Sequence, residues 1–222
     1  MRTRLTNFFE SYDILYEMQY GFRKGRSCEH ALLVAQNELL STLSKKQISM
    51  LLLSDFSKAF DMVDHNILLH KLQHYGIRGN ALNWVKSYLS NRMQFVSIDG
   101  KNSTTKTLKY GVPQGSILGP LLFIIYINDI PGIQVLAKFI LYADDANIIL
   151  IGNDLAEINS QFITLSNALK AWVTANGLAL NLKKTNYMLF TNQRQVSGLD
   201  SFDPKINNRS IEKSQLRTFW AF

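Results

Sequence analysis

The chain has 222 residues, 46% of them apolar and 18% charged, which is enough for one sizeable core and excludes a disordered polyelectrolyte. A formal charge of +7, from 24 Lys and Arg against 17 Asp and Glu, suits a polyanionic partner without requiring one. The single cysteine, Cys28, excludes an internal disulfide, and the most apolar stretch, 117–130, is too short and too interrupted by Pro120, Asn128 and Asp129 to cross a bilayer. With no apolar signal segment in residues 1–10, the chain is expected to be soluble and intracellular.

Leu5, Phe8, Phe9, Tyr12, Leu15 and Tyr16 recur at helical spacing and predict a helix over 5–18. It ends before Gln19-Tyr-Gly-Phe-Arg-Lys-Gly-Arg-Ser27, a loop with two glycines and three cations. Such a loop either presents backbone N–H groups and charge to phosphates or is a solvated basic turn. It lacks the Gly-Lys-Ser/Thr ending of a P-loop. Ser27 and Glu29 lead into a helix with Ala31, Leu32, Val34, Ala35, Leu39 and Leu40 on its buried side. Met50-Leu-Leu-Leu53 reads as a buried strand that delivers Asp55 at its end, where a metal ligand is held rigidly and where a helix N-cap also occurs. Helices follow over 65–75, stopped by Gly76, and over 80–90, capped by Asn80. His70 and His74 lie one turn apart with no third ligand nearby, so they read as solvated surface residues.

Segments 94–98 and 104–110 flank Asp99-Gly100 and predict a β-hairpin. Gly111-Val-Pro-Gln-Gly-Ser-Ile-Leu-Gly-Pro120 is a shaped loop whose glycines, beside Gln114, let a flat group approach the backbone. A buried helix follows and ends by Pro131. Two apolar runs, 139–142 and 148–151, then predict strands joined by a tight turn with Asp144 and Asp145 side by side at its tip. Carboxylates so close repel unless a cation lies between them, and a hard divalent ion such as Mg2+ resolves the conflict; an Asp-rich surface turn is the alternative. Asp154 opens a long helix with Ile158, Phe162, Leu165, Leu169 and Trp172 inward, ended by Gly177. Segments 178–182 and 186–191 read as strands around Lys183-Lys-Thr185, and the polar chain beyond Asn192 is expected to be poorly ordered.

Five strings stand in a telling order: the 19–27 loop, Asp55-Phe-Ser-Lys-Ala-Phe-Asp61, the 111–120 loop, Tyr142-Ala-Asp-Asp145 and Asn181-Leu-Lys-Lys-Thr185. Together they resemble the palm of reverse transcriptases, most closely those of non-LTR, LINE-like retrotransposons. The resemblance implies an α+β fold: a palm in which an antiparallel sheet carries the aspartates, backed by helices 65–75, 80–90 and 154–175. Residues 1–50 would be partial fingers, 51–191 the palm and 192–222 a divergent tail, with no thumb. It implies RNA-directed DNA polymerisation with two Mg2+ ions, or Mn2+ in their place, and an RNA template, a DNA primer and dNTPs as partners. Asp55 and Asp144 would bridge the ions, with Asp145 adjacent and Phe56 offering its backbone carbonyl. Phe60 would lie under the incoming sugar and exclude a 2′-hydroxyl. Gln114 and Gly115 would lie along template and nucleotide, Lys184 near the triphosphate as a proton donor to pyrophosphate, and Arg23 and Lys24 against phosphate or template. The Arg-Pro-Ile string expected before the first of these matches and the Leu-Gly hairpin expected after the last are not found. The alternative reading is an inactive remnant that at most binds nucleic acid.

Overall fold

A computed structural model describes residues 1–192, 196–199 and 201–214. In chain order it contains α1 (Arg2–Ser11), α2 (Cys28–Ser44), β1 (Ile48–Asp55), α3 (His65–His74), α4 (Gly79–Leu89), the short strands β2 (Met93–Gln94), β3 (Ser97–Ile98), β4 (Lys101–Asn102) and β5 (Lys106–Thr107), and α5 (Gly119–Tyr126). Then come β6 (Lys138–Tyr142), β7 (Asp145–Gly152), α6 (Leu155–Ala175), β8 (Asn186–Phe190) and the short strands β9 (Lys205–Ile206), β10 (Arg209–Ser210) and β11 (Glu212–Lys213). These form two compact units, Met1–Leu15 with Lys58–Ile127, and Tyr16–Ser57 with the chain from Asn128 onward. No helix among the described residues is long and apolar enough to cross a membrane.

The second unit is built on a sheet of strand order β11–β8–β1–β7–β6, antiparallel except where β11 runs parallel to β8. The expected antiparallel sheet is present, with one parallel edge strand added from the polar stretch beyond Asn192, where little order was anticipated. Residues 215–222 and the other gaps of that stretch lie outside the described residues. On one face α2 packs Ala31, Ala35 and Leu39 against Leu51, Ile140, Ile149 and Met188. On the other, α6 packs on β7 and β1 with Ile158, Phe162, Leu165 and Leu169 buried. A strand covered on both faces needs apolar residues at every position, not at alternate ones. Met50, Leu51 and Leu52 are accordingly fully buried.

In the first unit α3 packs on α4 and α5. Helices 65–75 and 80–90, expected to back the sheet, belong to the first unit; within the second unit the helices against the sheet are α2 and α6. Periodicity reveals that a helix has a buried face but not what covers it. Helix α5 is buried on all sides, with Leu122, Phe123, Ile125 and Tyr126 inaccessible. The Lys71 ammonium reaches the Tyr126 carbonyl at 2.6 Å and covers its C-terminal end. Asp64 caps α3, accepting from the N–H groups of Asn66 and Ile67 at 2.7 and 3.1 Å. Asn80 lies inside α4, not at its cap, which is Arg78. The expected hairpin is found, with β2 on β5 and β3 on β4.

Two further expectations change. Helix α1 stops at Ser11, and Asp13 takes a φ of +49°. Beyond it Tyr16 is held by hydrogen bonds, its N–H donating to Asn128 Oδ1 and its hydroxyl to the Phe139 carbonyl. Segment 178–182 is not a strand: only Leu180 forms a bridge, to Phe56, before the chain turns.

Candidate active site

The register of β1 against β7 sets Asp55 opposite Asp145, and that of β6 against β7 sets Tyr142 opposite Asp145, leaving Ala143 and Asp144 as a two-residue turn. One row inward, Leu53 pairs with both Asn147 and Asn186, and the next row, Leu51 with Ile149 and Met188, is core under α2. Side chains alternate along a strand, so Asp55 and Asp145 continue the α2-covered face beyond one polar row. A cavity of about 170 Å³ opens there, lined by Leu53, Asp55, Asp145, Asn147, Lys184 and Asn186.

The turn is strained and buttressed. Ala143 has a φ of +55°, a left-handed conformation that costs a residue with a Cβ roughly 1–2 kcal/mol. Gln19, 1% exposed, accepts with its side-chain oxygen from the N–H groups of both Gly21 and Ala143, at 2.8 and 3.2 Å. The Tyr20 N–H donates to the Leu141 carbonyl, and the Leu141 N–H to that of Met18. A Cβ on Gly21 would lie 2.2 Å from the Ala143 nitrogen, so only glycine lets the loop press this closely on the turn. Gln19 and Gly21 thus position the aspartate turn, a role sequence reasoning missed, although both stand in one of the strings it singled out.

Asp55 is held by the turn that follows Leu180. The Asn181 N–H donates to the Asp55 carbonyl at 2.8 Å and its side-chain amide to Asp55 Oδ2 at 3.0 Å. The Lys184 ammonium lies 3.3 Å from the same Oδ2. The Asn181 carbonyl in turn accepts from the Lys184 N–H and from the N–H and hydroxyl of the buried Thr185. Phe56 is buried, with its ring on Trp172 at 6.0 Å. Its bridge to Leu180 is closed by the neighbouring pairs, Ser57 to Ala179 and Asn181 to Asp55, so among the described residues the Phe56 carbonyl accepts no hydrogen bond.

The acids repel one another. Burial, then Asp144, then Asp55 push the Asp145 carboxyl up to about 6, and Lys184 only partly opposes them. A native state that binds this proton more tightly than the unfolded chain, whose carboxyl titrates near 3.9, gains stability as pH falls from above 6 towards 4. Asp145→Asn is therefore expected to stabilise the protein free of cations at pH 7.5. The group is only half-buried, so solvent screening trims the gain to about 1 kcal/mol, or roughly 2–4 °C in melting temperature. The gain should vanish near pH 4; a variant that melts lower than the wild type at pH 7.5 would refute the repulsion.

Among the described residues no three His, Cys, Asp or Glu side chains form a ready metal cage. Mg2+, however, is commonly held by one or two carboxylates, its remaining positions filled by water and substrate phosphates. Paired carboxylates, a raised Asp145 and an unpartnered Phe56 carbonyl are oxygen donors of the kind such an ion takes, so the residues fit it.

Phe60, Gln114 and Gly115 belong to the first unit. There Phe60 stacks on Phe123 at 4.3 Å, and the Gln114 amide donates to Asp61 Oδ1 at 2.8 Å. A cavity of about 590 Å³ beside them is lined by residues including Lys58, Asp61, Arg92, Tyr110 and Gln114. Gly115 has a φ of +75° and open space around it. A Cβ on Gly111 or Gly119, by contrast, would meet the backbone of Asp61 or Pro113 at 3.0 or 2.7 Å, so these two glycines serve packing within the unit and not approach by a ligand. Arg23 donates to the Tyr16 carbonyl at 2.8 Å, and Lys24 is exposed.

Residues 1–214 match the profile of the family described as reverse transcriptase (RNA-dependent DNA polymerase). The chain is 29% identical over 201 residues to the probable RNA-directed DNA polymerase from transposon BS of Drosophila melanogaster, covering 85% of this chain and 21% of that protein. It is 30% identical over 183 residues to the RNA-directed DNA polymerase from mobile element jockey of Drosophila funebris, covering 79% and 20%. It therefore spans about a fifth of the length of these relatives. Among solved structures, telomerase of Candida albicans, in complex with a fragment of telomeric RNA, superposes with a TM-score of 0.60 at 15% identity, over 95% of this chain and 35% of that one. Apo telomerase of Candida tropicalis truncated from its C-terminal domain gives 0.57 at 15%, over 87% and 40%. At such identity the likeness shows the fold, the α+β architecture with helices against a polymerase-like sheet.

Proposed function

The chain belongs to the reverse transcriptase (RNA-dependent DNA polymerase) family, and from that premise we propose that it is the palm region of a non-LTR retrotransposon polymerase that extends a DNA primer with dNTPs on an RNA template. The observation that carries this reading is the pairing of Asp55 with Asp145 across β1 and β7, with Asp144 in the adjoining turn. Asp55, Asp144 and the Phe56 carbonyl would hold two Mg2+ ions, or Mn2+, with Asp145 as the neighbouring carboxylate. When bound, such ions activate the primer 3′-hydroxyl and stabilise the pyrophosphate leaving group. The protein's share is orientation: Gln19 and Gly21 fix the turn, and Asn181 fixes Asp55. Lys184, close to the carboxylates and exposed, supplies positive charge to the leaving phosphates. Gln114 and Gly115 are assigned to template and nucleotide, and Arg23 and Lys24 to phosphate or template; Arg23 gives one of its N–H groups to the Tyr16 carbonyl and has others to offer.

Primer extension on an RNA template with Mg2+ tests the proposal. Extension by the wild type that disappears in Asp144→Asn supports it; nucleic-acid binding without any extension would instead favour an inactive remnant. Phe60 is assigned the steric exclusion of ribonucleotides. Phe60→Ala is expected to raise the ratio of ribonucleotide to deoxynucleotide kcat/KM by roughly tenfold or more, the scale on which pocket shape discriminates. An unchanged ratio would remove that role from Phe60.

A further inference from the structure

Asp55 Oδ2 receives two contacts of different character. Asn181 is tied into the backbone: its N–H bonds the Asp55 carbonyl and its own carbonyl carries the buried Thr185, so its amide is a fixed donor at 3.0 Å. The Lys184 side chain is 69% exposed and reaches the same oxygen at 3.3 Å from the solvent side, while Asp55 itself is only 16% exposed. Oδ1 has no protein partner among the described residues. A divalent cation entering here meets one contact it can keep and one that opposes it, because the ammonium and the ion compete for the same negative charge.

We propose that the 181–185 turn controls cation entry at Asp55: Asn181 is a positioning residue that holds the carboxylate in its ligating orientation, and Lys184 is a resident counter-ion that the incoming cation displaces. The displacement has a further effect. It releases the lysine only when the cation has arrived, so its charge becomes free for an anionic substrate group at the moment the carboxylate no longer needs it. The two residues, three positions apart on one turn, therefore act on cation affinity with opposite signs. Removing the hydrogen-bond partner of a ligating carboxylate weakens metal binding by about 10–100-fold. Removing an exposed competing charge strengthens it by only a few-fold, about threefold, because water already screens most of its field.

The inference rests on the metal-binding reading of the carboxylates, so the test measures Mn2+ binding to the whole chain by electron paramagnetic resonance, without nucleic acid or turnover. Asp55→Asn serves as the control for that reading. The expected results are a dissociation constant raised about tenfold in Asn181→Ala and lowered about threefold in Lys184→Ala, with Lys184→Arg restoring the wild-type value. Lys184 is too exposed for its removal to unfold the protein, which keeps the second arm decisive if Asn181→Ala proves unstable. Binding that Asp55→Asn leaves unaltered would overturn the carboxylate reading itself. Binding that requires Asp55 but is unaltered in Asn181→Ala and Lys184→Ala, or weakened in Lys184→Ala, would overturn this inference alone.

Discussion

Asp55→Asn is expected to lower RNA-templated primer extension by a thousandfold or more while leaving the melting temperature unchanged or slightly raised. Asparagine keeps the shape of the side chain and an oxygen able to accept from Asn181, so the fold loses little. What it loses is the charge that, on the proposed function, would draw a cation to the end of β1. Metal stabilisation of the transition state amounts to several kcal/mol, and about 4 kcal/mol corresponds to a factor of about a thousand. Stability moves the other way, because Asp55 is one of the charges that push Asp145 up. Single-turnover extension with saturating primer and template separates this loss from any change in nucleic-acid binding. A variant within tenfold of the wild type would show that Asp55 does not bear on the chemistry.

Gly21→Ala is expected to be the most damaging single-methyl change near the site, costing about 3 kcal/mol and with it most of the activity. The added Cβ would lie 2.2 Å from the Ala143 nitrogen and 2.9 Å from its Cα, both backbone atoms that cannot swing aside. Forcing extra volume into a packed contact typically costs about 1–3 kcal/mol, and here the group that must yield is already in a left-handed conformation. The expected fall in melting temperature is about 10 °C. Gly25→Ala is the matched control: Gly25 lies in the same loop with a φ of +72° and nothing within 4 Å of the new Cβ, so it carries only the backbone penalty of about 1 kcal/mol. If Gly21→Ala melts no lower than Gly25→Ala, the close contact does not support the turn.

The parts of this architecture legible in the sequence are those with a strong local signal. The unbroken apolar run of β1, the paired runs around Asp144 and Asp145 and the stripe of α6 each announce their own conformation. Their order along the chain then brings the acids together. What stayed hidden is whatever depends on a distant partner. Gln19 reads as a polar loop residue until its bond to Ala143, 124 positions away, is seen. The α3 and α4 stripes are real, yet nothing local says that α3 packs on α5 and α4. Segment 178–182 has strand-like apolar alternation, but its backbone is spent on Asp55 and Ser57 and on the turn that carries Lys184. Strand β11 is only two residues long and polar, and owes its existence to the free edge of β8.

The central position of β1 has a consequence for biosynthesis. Its neighbours in the sheet, β7 and β8, are both made much later: Ser54 and Ala146, joined by a hydrogen bond, are 92 positions apart. At about 5–20 residues per second, translation leaves this apolar strand without either neighbour for roughly 5–20 s. Until β7 emerges, the nascent chain carries an unpaired edge of mostly buried-type residues, the kind of segment that chaperones hold and that aggregates when they do not. The same topology that sets Asp55 against Asp145 keeps the site from assembling until β7 has been made.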